Sequence, residues 1–164
     1  MKLRLATATA AIAGLALVGG FTAQAAQAAA APANTVQANV LSAEALLKVA
    51  DGAQKEAVKQ KQRVTIAIVD RSGATRLIVK GDGAGPQTEE SAKRKAFTAV
   101  SFGQATSALA KNQALAAIPG TLLLAGGVPV TDGTSPIAGI GVGGASSGDI
   151  DEAIANAGLK AIEG

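Results

Sequence analysis

No cysteine, histidine, tyrosine or tryptophan occurs among the 164 residues, and the single methionine is Met1. These absences exclude Ser-His-Asp and Cys-His catalysis, zinc held by His or Cys, and haem held by a conventional axial ligand. Aromatic residues make up only 2% of the chain, so stacking platforms for single-stranded nucleic acid are missing too. Without disulfides the fold must rest on its core, which about 125 residues can supply. Any metal or cofactor would be held by oxygen ligands, by Lys or by packing.

The chain opens with a basic start, Met1-Lys2-Leu3-Arg4. Residues 5–21 are almost wholly Ala, Leu, Ile, Val, Gly and Thr, and small-x-small sites follow at Ala23-Gln24-Ala25 and Ala26-Gln27-Ala28. This is the three-part pattern of a secretory signal peptide over residues 1–28, and it predicts an exported, extracellular protein. Removal takes Lys2 and Arg4 with it, leaving 13 basic against 12 acidic residues in place of the full-length net charge of +3. So balanced a domain has no electrostatic footprint for nucleic acid. Residues 29–40, rich in Ala with Gln, Pro and Asn, read as a flexible leader, and residues 41–164 as one domain.

The stretch 118–151, IPGTLLLAGGVPVTDGTSPIAGIGVGGASSGDID, organises the domain. Asp132-Gly133 reverses a hairpin between Val128-Pro129-Val130 and the run from Ile137 to Val142. In that run Gly139, Gly141 and Gly143 alternate with Ala138, Ile140 and Val142, so one face of the strand is bare backbone. A bare face lets a helix, a second subunit or a planar ligand approach closely, and packing within the protein is the simplest reading.

The remaining elements are read from periodicity. Ser42 caps a helix running to about Gln62 with an apolar stripe including Leu46, Ala50 and Ala57. VTIAIVD, residues 64–70, is apolar on both faces, as a central strand should be, and residues 75–80 return beside it. Asp70, at the strand end, is expected to cap the intervening turn. The run Gly81-Asp82-Gly83-Ala84-Gly85-Pro86 is a loop, but no Gly-Lys-Ser/Thr follows, so it is not a phosphate loop. Thr88 opens a helix with Ala92, Ala96, Phe97, Ala99 and Val100 on its buried side. Glu89–Lys93 and Glu90–Arg94 are spaced as i,i+4 ion pairs. Residues 101–117 continue that helix or form a second short one, residues 122–124 form a third strand, and Asp149 with Glu152 starts the last helix. Helix, two strands, helical segment, three short strands and helix make an α+β domain with a mainly antiparallel sheet.

Three ordered blocks carry a family resemblance: VTIAIVDRSGATRLIVKGDGAGPQTEESAKRKAFTAVSF, IPGTLLLAGGVPV and IAGIGVGGASSGDIDEAIA. Together they resemble the GlcG/HbpS family, also called the haem-degrading-domain family, over nearly the whole domain. The resemblance implies a five-stranded antiparallel sheet flanked by helices and a symmetric homo-oligomer, typically an octamer. It also implies haem bound at subunit surfaces through a threonine oxygen in the IPGT block, here Thr121. Gly120 beside it would let the macrocycle approach, and the basic residues Lys93, Arg94 and Lys95 would neutralise its propionates. The family's haem-binding branch carries a Glu-x-x-Glu pair for surface iron. Here Glu90 keeps the first acid but Lys93 replaces the second, and one carboxylate beside an ammonium is a poor ferric site.

The leading expectation is therefore an exported haem-binding protein that sequesters haem or relays haem or redox status to a membrane sensor such as a sensor kinase. The alternatives are a haem-degrading or peroxidase-like enzyme, and a module for another small ligand such as a corrinoid or a hydroxy acid. Turnover usually leans on a distal acid–base residue, and there is no His to serve.

Overall fold

The computed structural model of the chain describes residues 34–163; the signal-peptide stretch and the first part of the leader lie outside them. Residues 34–40 have no regular structure and are exposed, and a compact unit begins at Gln37. Among the described residues no helix is long and apolar enough to cross a membrane.

Helix α1, Ala43–Lys59, starts where the Ser42 hydroxyl accepts from the Ala45 N–H. Strands β1, Thr65–Asp70, and β2, Thr75–Lys80, form an antiparallel pair. Their turn is tied by Asp70, whose Oδ1 accepts from the Ser72 N–H, the Ser72 hydroxyl and the Ala74 N–H. The Ser72 hydroxyl is the largest reason that this carboxyl titrates below its usual range; the two N–H groups and Arg76 act in the same direction, against burial. Helix α2, Thr88–Phe102, ends at Gly103 in a left-handed conformation (φ 64°) that suits glycine. A four-residue helix α3, Thr106–Leu109, and a 3₁₀ turn, Gln113–Ala117, follow. Then come β3, Gly127–Asp132, β4, Ser135–Gly143, and helix α4, Gly148–Lys160.

The sheet is antiparallel in the order β2-β1-β4-β3. It therefore has four strands where the resemblance implied five. The missing strand is the one expected at residues 122–124, and the reason lies in where its main-chain groups go. The Leu122 N–H donates to the Thr98 hydroxyl, and the Gly126 N–H donates to Glu152. The carbonyls of Gly120 and Thr121 accept from Arg94. Side chains thus take the Leu122 N–H and the main-chain groups flanking the segment, and no ladder forms there. The last helix also starts differently: Ser147, not Asp149, is the N-cap, its hydroxyl accepting from the Ile150 N–H.

The two faces of the sheet differ in bulk. Ile66, Ile68, Ile140 and Val142 project to one side and pack with Val49, Ala53, Ala57, Ile154 and Ala155 of α1 and α4. Burying each such large side chain contributes about 1.5–3 kcal/mol. Along the other face, β4 presents Gly139 and Gly141 beneath α2. A Cβ on either would run into the main-chain carbonyl of Ala96 or Ala92. The bare face thus seats a helix backbone directly on the sheet, and this packing fixes where every side chain of α2 is delivered.

Candidate functional site

Lys93, Arg94 and Lys95 are consecutive, but at 100° per residue a helix sends them in three directions. Lys93 lies on the surface, 3.3 Å from Glu90 and 3.7 Å from Glu89. Arg94 turns toward the loop after the 3₁₀ turn, where Nη2 donates to the Thr121 carbonyl at 2.6 Å and Nε to the Gly120 carbonyl at 3.5 Å. It does not form the expected pair with Glu90. Lys95 goes inward, with 3% of its surface exposed, and pairs with Asp151 at 2.7 Å. It is therefore not part of a basic rim, which corrects the sequence expectation.

Lys93, Arg94 and Gly120 come together around a groove of about 140 Å³, whose other walls are Val69, Gly73, Thr75 and Phe97. The Phe97 ring lies between two glycines. A Cβ on Gly73 would sit 3.4 Å from one ring edge, and a Cβ on Gly120 would sit 3.2 Å from the other. Both glycines adopt positive φ, 87° and 85°, so their conformations disfavour side chains as well. Sequence reasoning placed Phe97 on the buried side of α2; it is half-exposed and forms the groove floor. Its scarcity was the available signal, since the chain has only three phenylalanines.

Thr121 follows this groove immediately. Its N–H donates to Ile118 and its carbonyl accepts from Arg94, but its hydroxyl has no partner. The residue is 3% exposed, and Oγ1 is one of two buried side-chain polar atoms without a hydrogen bond among the described residues. Leaving a hydroxyl so buried costs about 1–3 kcal/mol, and nothing in the fold recovers it. The two cations beside an aromatic floor fit a planar apolar group with acidic substituents, and the orphaned Thr121 oxygen is buried one residue beyond Gly120, outside the walls of the groove. The groove is nevertheless smaller than the roughly 300–1,000 Å³ typical of ligand sites, so one chain offers only part of an enclosure.

Surface iron finds less to hold it. Lys93 occupies the space between Glu89 and Glu90, and no group of three or more His, Cys, Asp or Glu that could hold a metal occurs among the described residues.

The family model described as haem degrading protein HbpS-like matches residues 41–160. A crystal structure of HbpS is 51% identical, covering 82% of this chain and 98% of its own, with a TM-score of 0.78. A crystal structure of a double Glu-to-Asp variant of HbpS from Streptomyces reticuli is 44% identical, covering 95% of this chain and 99% of its own, with a TM-score of 0.76. The crystal structure of a PduOC–haem complex is 26% identical over 76% of this chain and 96% of its own, with a TM-score of 0.71. Curated proteins give no significant match.

Proposed function

We propose, from the premise that this chain belongs to the HbpS-like family, that it binds haem at the Phe97 groove. The unpaired, buried Thr121 hydroxyl carries the reading. It is an oxygen donor kept free at a cost, in a chain whose described residues contain no His, Cys, Met or Tyr to compete. Bound haem would supply an iron centre able to take that oxygen. Lys93 and Arg94 would face its propionates, and Gly73 and Gly120 would let its plane approach Phe97. A groove this small leaves most of a macrocycle uncovered, so a second copy of the chain would complete the enclosure. A homo-oligomer, with the octamer as the expected form, meets that need.

The protein would be exported, as its N-terminal sequence pattern suggests, and would sequester haem or relay haem or redox status to a membrane sensor. A haem-related PduOC neighbour supports binding; with no His in the sequence to serve as a distal acid–base residue, binding is favoured over turnover. Haemin titrated into the protein should give a saturable Soret shift. The bound spectrum should then persist through a time course with peroxide or reductant. Progressive bleaching would favour the degrading or peroxidase-like enzyme, and no shift at all would remove haem in favour of another small ligand.

A further inference from the structure

We propose that the segment carrying Thr121 is a strap held shut by a latch on α2, formed by Arg94 and Thr98, and that haem must release this latch to reach the Thr121 oxygen. The inference rests on the haem reading of the Phe97 groove. Groove and oxygen do not meet in this structure: Thr121 is 3% exposed, its hydroxyl is buried, and it is not among the residues that wall the groove. Because the whole residue is buried, turning its side chain does not bring the oxygen out. The main chain around it has to move.

The strap is residues 121–125, bracketed by Gly120 and Gly126. Both glycines adopt positive φ, 85° and 124°, where the chain turns more readily than a residue with a side chain would allow. Gly126 is the anchored end: its N–H donates to Glu152 and its carbonyl accepts from the Val142 N–H at 2.8 Å. Between the glycines little else ties the backbone down. Leu123, Leu124 and Ala125 make no main-chain hydrogen bond among the described residues, and Leu124 is 61% exposed. A segment with so few bonds opens far more easily than the sheet beside it.

Two side chains one turn apart on α2 hold the free end. Arg94 donates to the Thr121 carbonyl at 2.6 Å and, more distantly, to the Gly120 carbonyl at 3.5 Å. Thr98, fully buried, donates its hydroxyl to the Arg94 carbonyl at 2.7 Å and accepts the Leu122 N–H at 2.9 Å. The closed strap leaves the Thr121 hydroxyl without a partner, a cost that opening removes by returning it to water or to a ligand. The latch works against that cost, so the strap is poised rather than locked. Arg94 also lines the groove. A guanidinium bonds a carboxylate roughly twice as strongly as a neutral carbonyl, so an acidic group entering the groove draws Arg94 off the strap. Recognition of the acid and exposure of the oxygen become one event.

Thr98→Val tests the latch, because it removes the acceptor for Leu122 at a residue that does not line the groove, while Thr98→Ser keeps that acceptor. On stopped-flow mixing with haemin, a docking step that quickens with haemin concentration should be followed by a Soret change whose rate does not depend on it. Thr98→Val should speed this second step about fivefold, the factor that one net hydrogen bond of about 1 kcal/mol confers; Thr98→Ser should leave it as in the wild type. Haemin dimethyl ester, with no carboxylate to compete for Arg94, should release the strap more slowly. Amide exchange on the ligand-free protein reads the same opening without haem. The Thr121 amide should exchange faster than those of Ile66, Ala67 and Ile68, and about fivefold faster again in Thr98→Val. A second step unchanged in Thr98→Val, an ester as fast as haemin, or a Thr121 amide that opens only together with β1 would each overturn the latch. No Soret response in the wild type would instead overturn the haem reading, and the exchange rates would still decide whether Thr98 holds the strap.

Discussion

The two sides of α2 hold similar side chains under opposite conditions. Toward Phe97, Lys93 stays at the surface and Arg94 spends its guanidinium on two loop carbonyls, while the buried oxygen at Thr121 is left unpaired. Toward α4, the buried charge on Lys95 has its counter-ion at 2.7 Å, and the other oxygen of that Asp151 carboxylate accepts from the Ala145 N–H. One side leaves a buried hydroxyl unpaired, and the other pairs its buried charge. The difference arises because a single helix is pressed onto glycine, leaving its flanks to be shaped by what packs beside them.

The sharpest way to break the contrast is Asp151→Ala. It strands the Lys95 ammonium in the interior and should cost about 3–5 kcal/mol in a denaturant titration, as expected when one partner of a buried pair is removed. On the groove side Arg94→Ala only releases two carbonyls at a wetter position, so a loss of about 1–2 kcal/mol is expected. Equal losses from the two substitutions would contradict the difference in burial. A finer probe uses acid. Asp70 ties the turn that sets Gly73 against Phe97, and its carboxyl titrates below the usual range chiefly through the Ser72 hydroxyl. A depressed folded-state value means that its contribution is full above the unfolded-state pKa and is lost as pH falls through the folded one. Stability should therefore decline below about pH 4, and Asp70→Asn should flatten part of that slope, by about 1 kcal/mol or less. Superimposable pH profiles would remove Asp70 from the account.

Much of this architecture was legible because it follows period and turn chemistry. The alternating glycines foretold a close approach to one face of β4, which α2 makes, Asp132-Gly133 the β3–β4 hairpin, and Asp70 the β1–β2 turn. What the sequence hid was long-range. Nothing near residues 122–124 announces that Thr98, Arg94 and Glu152, from two different helices, will satisfy the backbone around it in place of a neighbouring strand. Likewise Lys93-Arg94-Lys95 looks like one basic rim until Asp151, far along the chain, claims Lys95. Of the expected haem contacts, Lys93, Arg94 and Gly120 meet at one groove with Thr121 next in sequence. Phe97 reads as a core residue in the sequence because an apolar stripe does not distinguish a core ring from a groove floor.

Thr121→Val tests the central claim, because it removes only the hydroxyl from a side chain of nearly the same shape. Stability and haemin response should be measured on the same sample. If the oxygen is held for a ligand, the melting temperature should hold or rise, by the equivalent of about 1 kcal/mol for removing an unpaired buried hydroxyl, while the Soret shift weakens or moves. A destabilised variant with an unchanged Soret titration would show that the hydroxyl serves the fold and not haem.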